Sequence, residues 1–323
     1  MEPVHLPRLF PDPLLDRLAR SLRVAREAAP HPVATGGVPP EDAEVLVTGW
    51  GCTPLTEEVL AGLPRLRAVL HAAGSVKGHV TAACWDRGLL VSSAAGANAV
   101  PVAEFTLGAI LLCGKDALRM RARYAASHRL PDPAETGRLG NLGRRVGIVG
   151  ASRIGRRVIE LLRPFDVEVA VYDPYLPRPE ARALGVRPLP LDELVATSEV
   201  LSLHAPLLPG TRHLLDARRL ALLPDGAALV NTARGALVDT AALTRELVSG
   251  RISAVLDVTD PEPLPAGSPL HHLPNVLLTP HIAGALGNEL PRLGLAVTEE
   301  AERLAAGMPL RHQVLPGDLD RIA

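Results

Sequence analysis

Lysine is nearly absent from this chain: Lys77 and Lys115 are the only two among 34 basic residues. The bias reads as a coding preference rather than a functional feature. Thirty-five acidic residues offset the basic ones to a net charge of −1, with no long run of either sign. A balanced, unclustered charge excludes the usual footprint for nucleic acid or an anionic membrane. Aromatic residues make up 2% of the chain, which leaves no stacking platform for single strands. Cysteine is scarce as well. Cys52, Cys84 and Cys113 are scattered, odd in number and without a CxxC pair. Neither a metal site nor a disulfide framework is expected, and the cytoplasm is the default compartment. Met1 to Pro13 places prolines and charges where a signal peptide needs an apolar core. The longest apolar stretch, around Phe105 to Cys113, reads as too short to cross a bilayer.

What is present is an alternation of short apolar runs with amphipathic stretches. At 323 residues, 47% of them apolar, about two domains with sizeable cores are expected. No solenoid repeat or low-complexity tract interrupts the pattern. Residues 45–48, 68–71 and 89–92 read as strands, separated by helix-like segments such as 53–63. One long helix is expected over 101–123, starting at Asn98 or Pro101, since proline suits a first helical turn. A loop containing Pro131, Pro133 and Gly143 follows. A second, more regular series begins at Arg145. Strands are expected at 146–149, 167–172, 199–203, 227–231, 252–256 and 276–278. Helices are expected from 153 and over 216–222, 239–248 and 287–306. Such alternation implies α/β architecture with doubly wound parallel sheets.

The first strand of the second series runs into a glycine turn. Val146 to Gly155 reads strand, then Gly150-Ala151-Ser152-Arg153-Ile154-Gly155, then helix. The full dinucleotide motif is GxGxxG, and here its middle glycine is Ser152. Gly150 permits the tight turn, and Gly155 permits close packing of helix on strand. Ser152 either hydrogen-bonds a phosphate or pushes it outward with its Cβ. The next strand ends in Asp173, about where an acidic residue binds a ribose 2′-hydroxyl and repels a 2′-phosphate. Together these features predict NAD as the cofactor. The cofactor-binding candidates are Gly150, Ser152, Arg153, Ile154, Gly155, Asp173, His204, Ala205, Pro206, Thr211, Thr232, Ala233 and Asp257. His204 ends another strand and is read as lining this site rather than catalysing. Asp257 either bonds a nicotinamide carboxamide or caps a turn.

Three apolar runs near the C-terminal end of the series each deliver an ionisable group. The first leads to Arg234, the second runs through Asp257 to Glu262, and the third leads to His281. Ligands of open parallel sheets bind beyond the carboxyl ends of the strands, so the three residues are expected in one crevice. Arginine grips a carboxylate at two points. A carboxylate beside an imidazole stabilises its protonated form and fixes its tautomer, which suits a general acid. Taken singly, Arg234 could as well be a helix-capping ion pair, and Glu262 a surface residue in a proline loop. Upstream, the loop Ala73-Gly74-Ser75-Val76 can present backbone N–H groups to an anion. Lys77, beside it, is expected to be solvated.

These residues resemble the D-isomer-specific 2-hydroxyacid dehydrogenases. The resemblance rests on Gly96 to Glu104, Gly147 to Gly155, Val230 to Gly235, Asp257 to Pro263 and Thr279-Pro280-His281, and covers about residues 70 to 285. It implies that Arg234, Glu262 and His281 are the catalytic set. It also implies that Ala73, Gly74, Ser75 and Val76 hold the substrate carboxylate. The implied fold is a Rossmann-type cofactor domain, 100–285, inserted in a smaller substrate domain of residues 1–99 and 286–323. A homodimer is implied too, and a form without an extra regulatory domain, since the chain ends soon after its last helix. Hydroxypyruvate and glyoxylate reductases look nearest in the Asp257 to Leu264 motif. Two positions depart from the family pattern: Ser152, and the Gly74-Ser75-Val76-Lys77 loop, where Gly-Tyr-Asp-Asn is usual. The expected activity interconverts a small 2-keto acid and its D-2-hydroxy acid. The alternatives are a nucleotide-sensing corepressor or scaffold on the same fold, or a dehydrogenase of another small anion such as formate or phosphite.

Overall fold

The computed structural model describes residues 1, 3–24 and 40–322. Part of the expected first domain, 25–39, therefore lies outside the described residues. The chain divides into two units: Met1–Ala99 with Ala285–Ala323, and Val100–Gly284. Ala285 belongs to the smaller unit, one residue away from the expected boundary.

The smaller unit is built on β1 (Val45–Thr48), β2 (Ala68–His71) and β3 (Leu90–Ser93), which pair in parallel. All four β2 residues are buried, as a central parallel strand requires. The sheet is not parallel throughout, as was expected. A two-residue strand near the C-terminus, Gln313–Val314, pairs antiparallel with β3 at its edge. Helix Leu290–Ala305 turns Leu293, Val297 and Ala301 onto the core that also holds Ala68 and Leu70.

The larger unit carries a seven-stranded, all-parallel sheet. Its strands are β4 (Arg144–Val149), β5 (Val167–Tyr172), β6 (Arg187–Pro188), β7 (Val200–Leu203), β8 (Ala228–Asn231), β9 (Ser253–Leu256) and β10 (Val276–Leu278). Their order is β10-β9-β8-β7-β4-β5-β6. The chain builds outward from β4 to one edge, then crosses back to continue from β7 on the other side. That reversal makes a switch point between β4 and β7, where doubly wound sheets bind nucleotides. Both faces are covered. Along β8, Ala228 and Val230 enter one core and Leu229 the other; along β9, Val255 enters the first and Ala254 and Leu256 the second. Double burial explains why these strands read as unbroken apolar runs.

The single helix expected over 101–123 is two helices, Ala95–Gly114 and Ala117–Ser127. Asp116 between them is left-handed, at φ 46°, and ends the first run. Pro101 lies inside the first helix rather than at its start; the carbonyl four residues before it loses its helical partner. The 20-residue helix Ala95–Gly114 is long and apolar enough to cross a bilayer by length and composition, contrary to the reading of its 105–113 core. Ala103 and Ile110 of this helix are instead packed in the core of the larger unit.

Candidate active site

The carboxyl ends of β4, β5 and β7 shape a cradle around the glycine turn. Gly150 has φ 98°, and a Cβ there would stand 2.6 Å from the Ala205 nitrogen. A Cβ on Gly155 would meet the Gly150 carbonyl oxygen. Neither position tolerates a side chain, so the helix Arg153–Leu162 starts hard against the strand end, and a helix start is an anion-binding element. Ser152 has a structural role besides those expected of it toward a phosphate. Its Oγ accepts from the Gly155 N–H at 3.3 Å and caps this helix. Arg153 and Ile154 form its first turn.

Asp173 follows β5. Its two carboxylate oxygens accept from the N–H groups of Ala151, at 2.7 Å, and Tyr175, at 2.8 Å. Each oxygen keeps a second lone pair, enough for a ribose hydroxyl. The glycine cradle, the helix start and the half-buried carboxylate fit an adenine dinucleotide without a 2′-phosphate.

His204 is enclosed, at 3% exposure. Its Nε2 lies 2.9 Å from Ser202 Oγ, its Nδ1 has no partner among the described residues, and burial lowers it to about 3. What borders the glycine turn is the His204–Ala205 backbone rather than the imidazole. Thr211 donates to the Pro206 carbonyl at 2.6 Å and braces the loop after β7. Thr232 is buried, with its hydroxyl 2.8 Å from that of Thr106.

Beyond β8, Asn231 does work that its sequence position does not reveal. Its Oδ1 accepts from the Ala233 N–H at 3.1 Å, and its Nδ2 donates to the Arg234 carbonyl at 2.9 Å. The 1% exposed carboxamide thus fixes the turn that presents Arg234. Arg234 is half-buried; burial lowers its guanidinium from the ordinary value, and the charge of Glu262 opposes that shift. The backbone of this turn lies against the next one. A Cβ on Gly235 would overlap the Thr259 carbonyl and stand 2.6 Å from the Asp260 nitrogen.

Beyond β9 and β10 the same device recurs with a carboxylate. Asp257 is 2% exposed and accepts from Thr279 Oγ1 at 2.6 Å, the Ile282 N–H at 2.8 Å and the Ala283 N–H at 2.9 Å. Of its two expected roles, the structure shows the turn cap. The turn it holds contains His281, a left-handed residue at φ 55°. Such a conformation costs energy outside glycine and persists only where surrounding bonds impose it. His281 Nδ1 lies 2.7 Å from Glu262 Oε1, and the two side chains are 54% and 43% exposed. A carboxylate on Nδ1 leaves Nε2 as the nitrogen that can exchange a proton with a ligand.

Comparison with known proteins fixes the lineage. Residues 107–283 match the model of the D-isomer specific 2-hydroxyacid dehydrogenase NAD-binding domain. The chain belongs to the D-isomer-specific 2-hydroxyacid dehydrogenase family. Its 107–283 region is therefore an NAD-binding domain, and this family member resembles curated dehydrogenases along most of its length. It is 31% identical over 307 residues to a D-3-phosphoglycerate dehydrogenase of Methanocaldococcus jannaschii, covering 93% of this chain and 57% of that protein. It is 30% identical to a hydroxypyruvate reductase of Thermotoga maritima, covering 80% of this chain and 84% of the other. A solved phosphoglycerate oxidoreductase from Rhizobium etli superposes with a TM-score of 0.78 at 26% identity, covering 95% and 94% of the two chains. The chain spans about half the length of the phosphoglycerate dehydrogenases it matches.

In the smaller unit, the Ala73–Val76 loop follows β2. Among the described residues, no group accepts from the four N–H groups of Ala73 to Val76. The Val76 side chain is 1% exposed and sits in the core, so the loop offers backbone rather than side chains. Lys77 is not merely solvated. Its Nζ donates to the Ile322 carbonyl at 2.6 Å.

Proposed function

We propose that this family member is an NAD-dependent oxidoreductase that interconverts a small 2-keto acid and its D-2-hydroxy acid. The observation that carries the reading is the 2.7 Å contact between Glu262 Oε1 and His281 Nδ1, on a turn held by Asp257. A site that only senses a nucleotide has no use for an oriented acid–base pair.

The chemistry follows from the residues. The Arg234 guanidinium pairs with the substrate carboxylate through its two-point fork and polarises the adjacent carbonyl. The Ala73–Val76 loop is a second carboxylate-binding element, through its unpaired N–H groups. When bound, reduced nicotinamide supplies the hydride to the keto carbon. As the carbonyl oxygen becomes an alkoxide, His281 gives it the proton on Nε2. Glu262 holds the ring by Nδ1 and balances the charge of its protonated state. In the oxidative direction the same pair removes the hydroxyl proton.

Hydroxypyruvate and glyoxylate are the proposed substrates, on the likeness of the Asp257 to Leu264 stretch to their reductases. Homodimerisation in the cytoplasm belongs to the same reading; Cys52, Cys84 and Cys113 are all free thiols, as that compartment favours. The test is a panel of 2-keto acids with NADH and NADPH. Turnover of short 2-keto acids with NADH is expected, together with a dimer by light scattering. Tight NADH binding with no turnover of any keto acid would overturn the enzymatic reading in favour of a nucleotide sensor.

A further inference from the structure

The smaller unit contains a buried hydrogen-bonded chain that the chemistry above does not use. Thr48, the last residue of β1, has its Oγ1 2.8 Å from His71 Nδ1 and 3.2 Å from His79 Nε2. The three residues are 1%, 3% and 4% exposed. The two rings lie 4.3 Å apart with their planes at 36°. Burial lowers both imidazoles, His71 to about 3 and His79 to about 4, so both are neutral near pH 7.

A neutral imidazole has one donor and one acceptor, and a hydroxyl has one proton to give. A single hydroxyl proton cannot serve both rings, so Thr48 Oγ1 donates to one imidazole and accepts from the other. Thr48 and His79 also hold the loop through their backbone: the Thr48 carbonyl accepts from the Ala72 N–H at 2.8 Å, and the Val76 carbonyl accepts from the N–H groups of His79, at 3.1 Å, and Val80, at 2.9 Å.

We propose that this His79–Thr48–His71 chain sets the conformation of the Ala73–Val76 loop, making the three residues positioning residues for the carboxylate of the substrate. The proposal rests on reading that loop as a carboxylate cradle. The Val76 carbonyl is held by the His79 N–H, and the Val76 side chain is anchored in the core. With that carbonyl and side chain both engaged, the N–H groups of Ala73 to Val76, which have no acceptor among the described residues, are available to a ligand. Two imidazoles and a hydroxyl are a costly filling for a core unless every bond is made. Aliphatic side chains would fill the same volume without that cost, but they could not tie the end of β1 to His71 and His79, which flank the loop.

The experiment is steady-state kinetics of keto-acid reduction with three variants. Thr48→Ser keeps the hydroxyl and should leave KM near the parent value. Thr48→Val keeps the shape and removes both bonds; it should raise the keto-acid KM roughly 10-fold, about the worth of one hydrogen bond, with kcat and NADH affinity unchanged. Ser75→Pro removes one cradle N–H and should also raise KM. An unchanged KM in Thr48→Val beside a raised KM in Ser75→Pro would leave the cradle standing and overturn the positioning role. An unchanged KM in both would overturn the cradle reading and the proposal with it. If Thr48→Val does not fold, His79→Gln and His79→Leu replace it. Gln keeps a hydrogen-bonding amide near where Nε2 stood and should hold KM low, while Leu should raise it; equal KM in the two overturns the proposal.

Discussion

Two buried imidazoles of the smaller unit and the imidazole at the end of β10 live under opposite conditions. His71 and His79 are 3% and 4% exposed, stay neutral, and bond the hydroxyl at the end of β1. The His281 side chain is 54% exposed, sits on a left-handed turn and faces a carboxylate. The contrast teaches what each can do. A buried neutral ring is a fixed donor and acceptor, useful for holding backbone and poor at exchanging protons. A ring open to solvent and paired with a carboxylate at one nitrogen can pass a proton through the other.

The largest effect that would break this contrast is expected at His281. His281→Ala should lower kcat by ~10²–10⁴-fold, the range for a lost general acid. NADH affinity, read by fluorescence titration, should not change; near-normal turnover would remove His281 from the mechanism. Glu262→Gln keeps the shape and removes the charge, and should cost roughly 10²-fold in kcat, at the low end of the same range.

Arg234→Lys keeps the charge but loses the two-point fork. A charge-assisted bond is worth about 1.5–3 kcal/mol, so kcat/KM should fall by roughly 10- to 150-fold, mainly through KM. An unchanged KM would show that the carboxylate is held elsewhere.

The buried rings sharpen the comparison through stability. His71, His79 and His204 are lowered to about 3, about 4 and about 3 from an ordinary 6.5. Between those values and 6.5 the unfolded chain binds protons that the folded chain does not, so folding weakens as pH falls. Each ring contributes at most about 1.4 kcal/mol per pH unit in that window. Urea midpoints should therefore drop from pH 7 to pH 4, and drop less in His204→Leu. A flat profile over that range would mean that these rings are not held neutral.

The smallest effects belong to the cofactor end. Asp173→Ala should narrow the preference for NADH over NADPH by about 10-fold or more, from one lost charge-assisted bond and one lost repulsion. Ser152→Gly should scarcely move cofactor KM or melting temperature, because glycine replaces serine at a helix N-cap for only a few tenths of a kcal/mol.

Much of this was legible in the chain and some was not, for identifiable reasons. β1, β2, β5 and β10 have the expected bounds because each is an apolar run closed by polar or turn-forming residues. β6 and the strand at Gln313–Val314 have two residues each, too few to show any period. The break before Asp116 had a signal in Gly114, a poor helix former that ends the first helix, but Lys115 and Ala117 beside Asp116 favour a helix and masked it. Arg234, Glu262 and His281 stood out because each follows a strand end. Asn231 did not: its two bonds go to backbone groups two and three residues ahead, and only the turn geometry makes them visible. The Thr48, His71 and His79 chain was invisible for a different reason. It joins the ends of two neighbouring strands to a residue in the segment after the second, and no spacing within either strand encodes the grouping.

The contact between the Gly235 backbone and the Thr259 and Asp260 peptide groups bears on how substrate choice can change in this lineage. Because main chain meets main chain there, the separation of the Arg234 turn from the Glu262 loop is not set by any side chain that mutation can resize. The anion grip and the proton-transfer pair thus form a rigid chassis. Selection or engineering for a new 2-keto acid must act on interchangeable parts elsewhere, and a variant library that includes position 235 should return glycine almost without exception.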